Sequence, residues 1–497
     1  MQNNTKLYRI NDSDNVAIAL EEIKKDEMLQ LGSISVIAKE EIYKGHKIAL
    51  YNIGRDENIV KYGLPIGHAT TNIQAGEYIH THNIKTNLKG LLDYTYTPQL
   101  STQTTEAKST FMGYMRKNGD VGIRNEIWIV NTVGCVNKTA EILAKEANEK
   151  FSQKTDGIFS FSHPFGCSQL GDDHVTTQKI LADMVRHPNA AGVLVLGLGC
   201  ENNNIAEFKK VIGEYDPQRV KFLATQDVED EIEEGLGIIG DLVEYAQTFE
   251  RQPCPTSKLI VGLKCGGSDA FSGITGNPLV GAFSDILIEH GGTTILTEVP
   301  EMFGAETLLM NRCSNEGIFD KTVDLINSFK KYFIKHDQEI YENPSPGNKK
   351  GGISTLEEKS LGCTQKGGTS NVIDVLDYGE RVKSPGLNLL KGPGNDIVAV
   401  TALMASGAHI ILFTTGRGTP LGAPVPTLKI ATNSDLYQRK SNWMDYNAGQ
   451  LLEGNDISFV EKDLFEYVLK VASGEIKAKN EINGYREISI FKDGVIL

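Results

Sequence analysis

Hydrophobic positions fall into short, closely spaced runs in the first part of the chain. Up to about residue 85 these runs, such as 16–20, 35–37 and 47–50, are separated by turn-forming pairs like Lys44-Gly45 and Ala75-Gly76. Strands that recur about every ten residues with glycine turns between them are typical of a small barrel or clamp. The pattern therefore predicts a small β-rich domain over residues 1–85.

The pattern changes after residue 110. Residues 86–110 are rich in Thr, Gln and Ser, with Gln103-Thr104-Thr105 as an example, and this composition predicts a linker. Apolar runs then alternate with helical stretches. The predicted strands are 127–130, 157–161, 192–196, 259–262 and 409–413, and the predicted helices are 137–151, 176–185, 205–215 and 318–335. Such alternation indicates βαβ units with largely parallel sheets. We place a central α/β domain at 111–385 and a final α/β region at 386–497.

Four of the predicted strands run into a cysteine, namely Cys135, Cys167, Cys200 and Cys265. Ligands of open α/β sheets collect at the carboxyl ends of the strands. A thiol that precedes a helix is favoured as the thiolate, and soft metals such as Fe(II) or Zn(II) bind thiolates. Because cysteine is also among the most buried residue types, packing behind the strand is the alternative for each of them.

Histidines supply candidate metal ligands and acid–base groups. His80 and His82 close the N-terminal domain, and in an extended segment they would point to the same side, where both can contact one metal ion. His163 lies close to Cys167, and His174 follows Asp172-Asp173. Surface histidines at a strand end, or polar residues that cap a turn, are the alternatives.

Glycine-containing turns supply candidate anion sites. Arg417 lies in the loop 414–420, whose hydroxyls, free amides and guanidinium can hold a carboxylate or a phosphate. Lys264 with Ser268 and Asp269 forms a second such turn, and Arg124 lies next to a third. A tight turn with a capping Asp is the alternative. The chain has no convincing Gly-x-Gly-x-x-Gly or Walker motif, so neither NAD nor ATP is predicted.

Charge and composition restrict the partners. The formal net charge of −14 argues against nucleic acid and anionic membranes, and an anionic substrate would need a local cationic or metal site. The N-terminus lacks a signal-peptide pattern, and the apolar runs 190–199 and 398–413 are too short or too polar to span a bilayer. Seven cysteines without an export signal favour the reducing cytoplasm.

Longer stretches of the chain resemble a known family. They are KYGLPIG (61–67), TVGCVN (132–137), GCSQLGDDH (166–174), GLGCENN (197–203), CGGSD (265–269), TEVPEMFGAE (297–306), NPSPGN (343–348) and TTGRGTP (414–420). Across essentially its full length the chain is similar to the altronate dehydratase family, kin to galactarate dehydratase. The resemblance implies a SAF-type N-terminal domain, a central α/β domain and a Rossmann-like C-terminal region. It also implies an iron(II)-dependent hydro-lyase, with manganese(II) as a substitute, that converts D-altronate to 2-dehydro-3-deoxy-D-gluconate.

Dehydration of a sugar acid begins with loss of the proton next to the carboxylate. A divalent metal bound to the carboxylate stabilises the resulting enediolate, while a base takes the proton and an acid assists the C3 hydroxyl. We expect metal ligands among His80, His82, Cys135, Cys167, Cys200 and Glu201, acid–base groups among His80, His82, His163 and His174, and substrate contacts from Arg124, Lys264, Ser268, Asp269 and Arg417.

Further expectations concern motion, assembly and rival functions. The N-terminal domain is expected to close over the site as a lid, and the protein is expected to be a cytoplasmic homodimer without nucleic-acid or membrane partners. The rivals are a dehydratase for another sugar acid such as galactarate, an iron–sulfur electron carrier that uses the four strand-end cysteines, and a non-catalytic sugar-acid sensor.

Overall fold

A computed structural model describes residues 6–102 and 109–495. The predicted linker residues Gln103-Thr104-Thr105 lie outside these ranges. Within them, no helix has both the length and the apolar character needed to cross a membrane.

In its described residues, from Lys6 onward, the N-terminal domain is built of short antiparallel strands. They are β1 (Leu7–Tyr8), β2 (Val16–Ala19), β3 (Met28–Leu31), β4 (Ile34–Ile37), β5 (Lys47–Ala49), β6 (Asn58–Lys61), β7 (Leu64–Ala69), β8 (Tyr78–Ile79) and β9 (Ile84–Lys85). The sheets have the orders β1-β2-β5-β8, β6-β7-β9 and β3-β4. Buried isoleucines such as Ile48, Ile59 and Ile79 fill the core between them. The predicted β-rich domain is confirmed.

The second part contains a four-stranded parallel sheet, β13-β12-β14-β15. Its elements are β10 (Thr110–Met115), β11 (Val121–Gly122), β12 (Glu126–Asn131), α1 (Asn137–Lys150), β13 (Ile158–Ser160), α2 (Gly171–Arg186), β14 (Ala190–Gly197), α3 (Ile205–Ile212), β15 (Val220–Ala224) and α4 (Glu231–Ala246). Ile127 and Ile129 of β12 pack with α1 and α4, whereas Trp128 and Val130 pack with α2 and α3. Burial on both faces explains why these strands are continuously apolar.

The third part contains a seven-stranded parallel sheet, β19-β20-β18-β17-β21-β22-β23. Its strands are β17 (Ile260–Cys265), β18 (Thr293–Leu296), β19 (Val372–Leu376), β20 (Gly386–Leu390), β21 (Ile410–Thr415), β22 (Thr427–Ala431) and β23 (Tyr446–Asn447), and β16 (Arg251–Pro255) pairs with β10 outside it. The helices are α5 (Asn277–Glu289), α6 (Glu306–Met310), α7 (Glu316–Lys335), α8 (Pro346–Lys350), α9 (Leu356–Cys363), α10 (Asp396–Ala405), α11 (Ser434–Arg439), α12 (Ile457–Ala472) and α13 (Lys479–Asn483). The α/β fold class with largely parallel sheets is confirmed.

The predicted domain boundary at 385 is corrected by the sheet topology. It falls between β19 and β20, which are hydrogen-bonded neighbours in one sheet that also contains β17. The predicted central domain therefore spans two sheets, and the division lies between β15 and β17. Apolar runs in the sequence reveal strands but not which strands pair, and this is the reason for the error.

Helices α2 and α10 pack between the two parallel sheets. Their contact is part of one apolar cluster that runs from Trp128 in the first sheet to Phe413 in the second. Both helices end at the same place, where the ring of His187 contacts the carbonyl of Ala408 at 3.2 Å. The carboxyl ends of both sheets consequently lie on the same side of this helical layer.

Candidate active site

A buried cluster of lysines and glutamates occupies the carboxyl ends of β17 and β18. Lys264 is the next-to-last residue of β17; it donates a hydrogen bond to Glu298 and lies 2.9 Å from a carboxylate oxygen of Asp396. Lys366 Nζ lies 3.1 Å from Glu298 Oε2, although not in hydrogen-bonding geometry. Glu298 itself has a left-handed backbone (φ 73°), a strained conformation for a non-glycine residue. We call this group, with Glu301 and Lys359, the lysine–glutamate cluster.

Glu301 completes the cluster from a short 3-10 turn after Glu298. Its carboxylate lies 2.8 Å from Lys359 Nζ and accepts a hydrogen bond from Cys363 Sγ at 3.1 Å. Burial alone would raise the pKa of Glu301, but the neighbouring lysines outweigh it and lower that pKa to about 2. Burial dominates at Glu298 and raises its pKa to about 7. Two carboxylates three residues apart in the chain thus differ in their proton affinity.

A second set of buried charges joins the N-terminal domain to α9. Lys47 of β5 and Lys61 of β6 both contact Glu358, with Nζ–O distances of 2.8 Å. All three side chains are buried, and the amide of Ser354 also donates to the Glu358 carboxylate. Burial would raise the pKa of Glu358, yet the two lysines lower it to about 2, while burial lowers the pKa of Lys47 to about 8. We call Lys47, Lys61 and Glu358 the interdomain triad.

Helix α9 connects these two sets of charges. Glu357 accepts hydrogen bonds from Thr86 and Asn87 of the N-terminal part, and Glu358 belongs to the interdomain triad. Lys359 and Cys363 of the same helix reach Glu301 in the C-terminal domain. A cavity of about 10 Å³ lies at this junction, bordered by Tyr62, Ser268, Glu358, Lys359 and Cys363 among others. That volume holds about one water molecule.

Imidazole and phenol rings cover the triad on the N-terminal side. His46 and His80 have ring centroids 5.1 Å apart, and the Tyr78 ring contacts His80 at 5.7 Å and His82 at 5.4 Å. His80 Nδ1 lies 3.0 Å from Ser354 Oγ of the C-terminal domain. Burial, followed by the charge of Lys47, lowers the pKa of His80 to about 4, so its imidazole is neutral at pH 7.

The expected extended geometry of the His80–His82 segment is corrected. Strand β8 ends at Ile79, and the amides of Asn83 and Ile84 both donate to the carbonyl of His80, so the chain turns there. The two rings nevertheless stay close because both pack on Tyr78. His80 is half-buried and faces the C-terminal domain, whereas His82 is exposed.

The four strand-end cysteines separate into two places. Cys135, Cys167 and Cys200 are exposed at the carboxyl ends of β12, β13 and β14, and we call them the cysteine edge. Cys265 ends a strand of the other sheet and is buried, with its Sγ 2.8 Å from Ser268 Oγ. A hydrogen bond from Cys363 lowers the pKa of the Cys265 thiol well below its usual range. The single rim of four thiols expected from the sequence is therefore two separate sites.

Several predicted substrate residues are engaged in structural contacts. Arg124 forms a buried ion pair with Glu481 at the amino end of β12, opposite to the edge where ligands collect. Asp269 accepts hydrogen bonds from Ser272, Thr432 and Asn433, which fix two loops together. These contacts argue against direct substrate binding by Arg124 and Asp269.

Other predicted substrate residues lie near the lysine–glutamate cluster or its edge. Lys264 is a member of the cluster, and Ser268 contacts Cys265. Arg417 is exposed at the carboxyl end of β21, where its amide donates to the Gly267 carbonyl at 3.2 Å. Arg417 thus remains available to an anion at the entrance to this region.

Three predicted residues lie near the cysteine edge. His163 is buried, with Nε2 2.9 Å from the Asn131 carbonyl and Nδ1 accepting from the Phe165 amide, so both ring nitrogens are occupied. Glu201 accepts hydrogen bonds from Thr132 and from two backbone amides, which fixes its own turn. His174 lies in the first turns of α2, and its Nδ1 has no partner in the described part of the chain. His163 and Glu201 therefore have structural roles.

The predicted metal ligands do not converge on one ion. His80 and His82 belong to the N-terminal domain, and the thiols lie on the cysteine edge. The Glu201 carboxylate accepts hydrogen bonds from backbone amides of its own turn. Within residues 6–102 and 109–495, no group of three or more His, Cys, Asp or Glu side chains is arranged to hold a metal ion. The mixed ligand set expected from the sequence thus does not fit the structure.

Sequence reasoning missed most of the buried ionisable groups. These are Lys47, Lys61, Glu298, Glu301, Glu358, Lys359, Cys363 and Lys366. Glu298 and Glu301 lie within the TEVPEMFGAE stretch, whose two acids after an apolar strand were an available signal. Lys61 begins the KYGLPIG stretch, although nothing in that stretch indicates a buried charge. The others come together only through the tertiary fold, and their local sequence patterns are those of exposed helices and strands.

Comparison with known proteins divides the chain into the same three parts. The altronate/galactarate dehydratase SAF domain matches residues 5–87, the second domain of D-galactarate dehydratase/altronate hydrolase matches 113–247, and the C-terminal domain of D-galactarate/altronate dehydratase matches 256–496. The chain belongs to the altronate/galactarate dehydratase family.

Relatives of known activity align with this chain over nearly their whole length. The chain is 54% identical to an altronate dehydratase of Bacillus subtilis (strain 168), over 98% of this chain and 99% of the relative. It is 51% identical to an altronate dehydratase of Escherichia coli (strain K12), again over 98% and 99%. The identity to a galactarate dehydratase (L-threo-forming) of Escherichia coli (strain K12) is 33%, over 97% and 96%. The family resemblance seen in the sequence motifs is confirmed.

Proposed function

We propose that this protein dehydrates D-altronate to 2-dehydro-3-deoxy-D-gluconate. The observation that carries the proposal is the identity of 54% and 51% to two altronate dehydratases over nearly the whole of each chain. The identity to the galactarate dehydratase is markedly lower, at 33%. Galactarate is accordingly the second candidate substrate.

The buried charges around α9 suit an anionic substrate. Five lysines (Lys47, Lys61, Lys264, Lys359 and Lys366) stand against three glutamates (Glu298, Glu301 and Glu358), an excess of two positive side chains, all of them buried. Asp396, with 38% of its side chain exposed, is a further carboxylate in contact with Lys264, and it reduces the excess to one positive side chain. A sugar-acid carboxylate would add negative charge in a region where lysines outnumber carboxylates. This local positive charge explains how a protein of net charge −14 binds an anion.

The reaction needs one group to accept the C2 proton and one to give a proton to the departing C3 hydroxyl, after which the enol product ketonises. A neutral His80 is able to accept a proton at pH 7, and His80 lies at the contact between the N-terminal domain and Ser354. His82 stands beside it on the same Tyr78 ring. We assign these two histidines to acid–base chemistry, and Lys264 and Arg417 to the substrate carboxylate.

Substrate entry requires the junction to open. The cavity of about 10 Å³ is far smaller than the several hundred Å³ of a typical small-molecule site. The N-terminal domain covers it through Lys47 and Lys61, in agreement with the expected role of that domain as a lid. The linker beyond residue 85 is held against the C-terminal domain, since Tyr94 donates to Glu306 and Tyr96 to the Cys313 carbonyl. Thr86 and Asn87 at the start of that linker are also bonded to Glu357 of α9, so opening would require these contacts to break.

The proposal includes an iron(II) requirement, with manganese(II) as a substitute, a cytoplasmic location and a homodimer. No step of the chemistry above is assigned to the metal, because the ligand set expected from the sequence does not fit one ion. Dialysis of the purified protein against a chelator, followed by addition of each metal, tests the requirement, and light scattering at several protein concentrations tests the dimer.

A turnover assay on a panel of sugar acids tests the function. Purified protein is incubated with iron(II) and separately with altronate, galactarate and gluconate, and the 2-keto-3-deoxy product is measured by mass spectrometry. We expect altronate to have the highest kcat/KM. Preferred turnover of galactarate would replace the substrate by the second candidate, and no turnover of any sugar acid would overturn the proposal.

A further inference from the structure

The cysteine edge stands apart from the other cysteines of the chain. Cys135, Cys167 and Cys200 are the three exposed cysteines, while Cys254, Cys265, Cys313 and Cys363 are buried. Packing behind a strand explains a buried thiol, but it does not explain an exposed one. Because exposed free thiols are open to oxidation, three of them at one edge call for a ligand.

Three turns bring these cysteines together. Their strands are adjacent in the order β13-β12-β14, so Cys135 follows the middle strand and the other two flank it. Neighbouring strands lie about 4.8 Å apart. Each cysteine follows a glycine directly and precedes a helix, α1, α2 or α3, whose amino end adds positive potential that favours bound anions.

Hydrogen bonds lock the turns to one another. The Gly134 amide donates to the Phe165 carbonyl at 2.8 Å, and the Asn203 amide donates to the Gly166 carbonyl at 3.2 Å. Asn203 also donates from its side chain to the Thr132 carbonyl at 3.1 Å. A side chain at Gly166 would place a Cβ 2.0 Å from that same carbonyl oxygen, and its φ of +98° favours glycine. The edge is therefore a preorganised arrangement of three loops.

The thiols themselves have few partners. Cys167 Sγ lies 3.7 Å from Ser168 Oγ, and Gln226 Nε2 lies 3.7 Å from Cys200 Sγ. Cys135 Sγ makes no hydrogen bond with any residue in 6–102 or 109–495. The surrounding polar groups, Glu201 and His163, are occupied by backbone contacts. The polar groups around the three thiols thus have hydrogen-bond partners, whereas the sulfur atoms have few or none.

A single metal ion does not fit this arrangement. Thiolates on one ion, each about 2.3 Å from it, lie within roughly 4 Å of one another, and no such group of donors is present in the described part of the chain. Thiolates that bind different irons of an iron–sulfur cluster point away from each other and stand further apart. Cysteine thiolates are the usual ligands of such clusters.

We propose that Cys135, Cys167 and Cys200 hold an iron–sulfur cluster of the cubane type, with one thiolate on each of three irons. The inference rests on the proposed function for the identity of the metal, and on the interlocked turns for the site. Two ferrous ions, two ferric ions and four inorganic sulfides supply the cluster in its 2+ state, so no further oxidant is needed, and the three thiols release three protons as the three iron–thiolate bonds form. The iron of this protein is then held at the cysteine edge and not by His80, His82 and Glu201.

Reconstitution of the full chain tests the site. Protein purified without oxygen is incubated with equal amounts of ferrous and ferric iron and with sulfide, desalted, and analysed for iron, acid-labile sulfide and visible absorbance. We expect about three to four irons and about four sulfides per chain, with a broad visible absorbance that dithionite bleaches. A colourless protein, or one iron per chain without sulfide, would overturn the inference.

Serine variants assign the ligands. Cys135→Ser, Cys167→Ser and Cys200→Ser should each lower the bound iron and sulfide at least severalfold, whereas Cys254→Ser, which changes a buried cysteine on β16, should keep both. Circular dichroism and thermal unfolding check that each variant is folded. Full iron and sulfide in all three single variants and in the triple variant would exclude the site. Altronate turnover of the same samples is scored separately, so loss of the cluster site and loss of the proposed substrate are distinguishable.

Discussion

The lysine–glutamate cluster and the interdomain triad meet at helix α9, and we call this region the α9 junction. Its lysines and glutamates are buried and lie next to side chains of opposite charge, whereas the three thiols of the cysteine edge are exposed and have few hydrogen-bond partners. Both places lie at the carboxyl ends of parallel strands, where α/β proteins bind their ligands. At the junction the buried charges are paired within the protein; Glu358, for example, is paired with both Lys47 and Lys61. At the cysteine edge, hydrogen bonds fix the backbone of the three turns, but the sulfur atoms remain exposed to solvent.

This difference indicates that the α9 junction and the cysteine edge have different requirements for binding a ligand. A buried and paired junction must open before a sugar acid can enter, so activity there depends on the movement of the N-terminal domain. An exposed and preorganised edge needs only its ligand. Perturbing charges at the junction should consequently affect stability and turnover together, while perturbing thiols at the edge should affect bound iron and leave the fold intact.

The largest effect is expected from Glu358→Ala. This change leaves Lys47 and Lys61 buried without their shared carboxylate, and breaking a buried pair in this way costs about 3–5 kcal/mol of unfolding free energy. Urea unfolding measures the loss. The matched control is Glu41→Ala, which breaks an exposed pair with Lys24 and should cost less than about 1 kcal/mol. Equal losses in the two variants would contradict the role given to the interdomain triad.

The next effect concerns turnover. His80→Ala and His82→Ala should each lower kcat by about 10²–10⁴-fold, the usual contribution of a general acid or base, with unfolding free energies close to that of the unchanged protein. The control is His68→Ala, since His68 lies in the same domain but contacts Asn87 away from the junction. Near-normal kcat in His80→Ala or in His82→Ala would remove that histidine from the chemistry, while His68→Ala is expected to keep its activity.

Much of the fold is readable from the sequence for a simple reason. Strands such as β12 and β14, which are buried on both faces, appear as uninterrupted apolar runs, and helices such as α1 and α7 appear as amphipathic stretches of matching length. The seven-stranded sheet was not foreseen, because β17 and β20 pair with the same neighbour, β18, although more than a hundred residues of chain separate them.

Only part of the candidate site could be predicted from the sequence. The Gly-Cys turns could be found because glycine and cysteine recur at strand ends, and the structure keeps three of them together. Lys47, Lys61 and Glu358 could not, since each lies in a segment whose sequence suits an ordinary exposed surface and only the docking of two domains buries them. Burial is a property of the tertiary fold, and with it come the charge pairing and the altered pKa values.

The pH dependence of stability sharpens the comparison. The pKa of Glu358 is about 2 in the folded protein and near 4.5 when unfolded, so the unfolded state binds more protons between these values. The stabilisation is thus complete above pH 4.5 and is lost as the pH falls toward 2. In urea unfolding, the advantage over Glu358→Gln should shrink by about 2 kcal/mol between pH 7 and pH 3. An advantage that stays constant would show that the carboxylate charge is not what stabilises the junction.

The smallest effect is expected from Arg417→Ala at the entrance to the lysine–glutamate cluster. The side chain is exposed and the backbone of its loop is held by Gly267, so its removal should leave the unfolding free energy unchanged. Loss of a charge-assisted contact to the substrate carboxylate should raise KM for altronate about tenfold, equivalent to about 1.4 kcal/mol, with kcat nearly constant. Arg417→Lys keeps the charge but not the paired donors and should give an intermediate KM. Arg55→Ala, an exposed arginine of the N-terminal domain, is the control. If KM in Arg417→Ala equals that of this control, the substrate carboxylate is held by the buried lysines alone, and the entrance loop has no part in binding it.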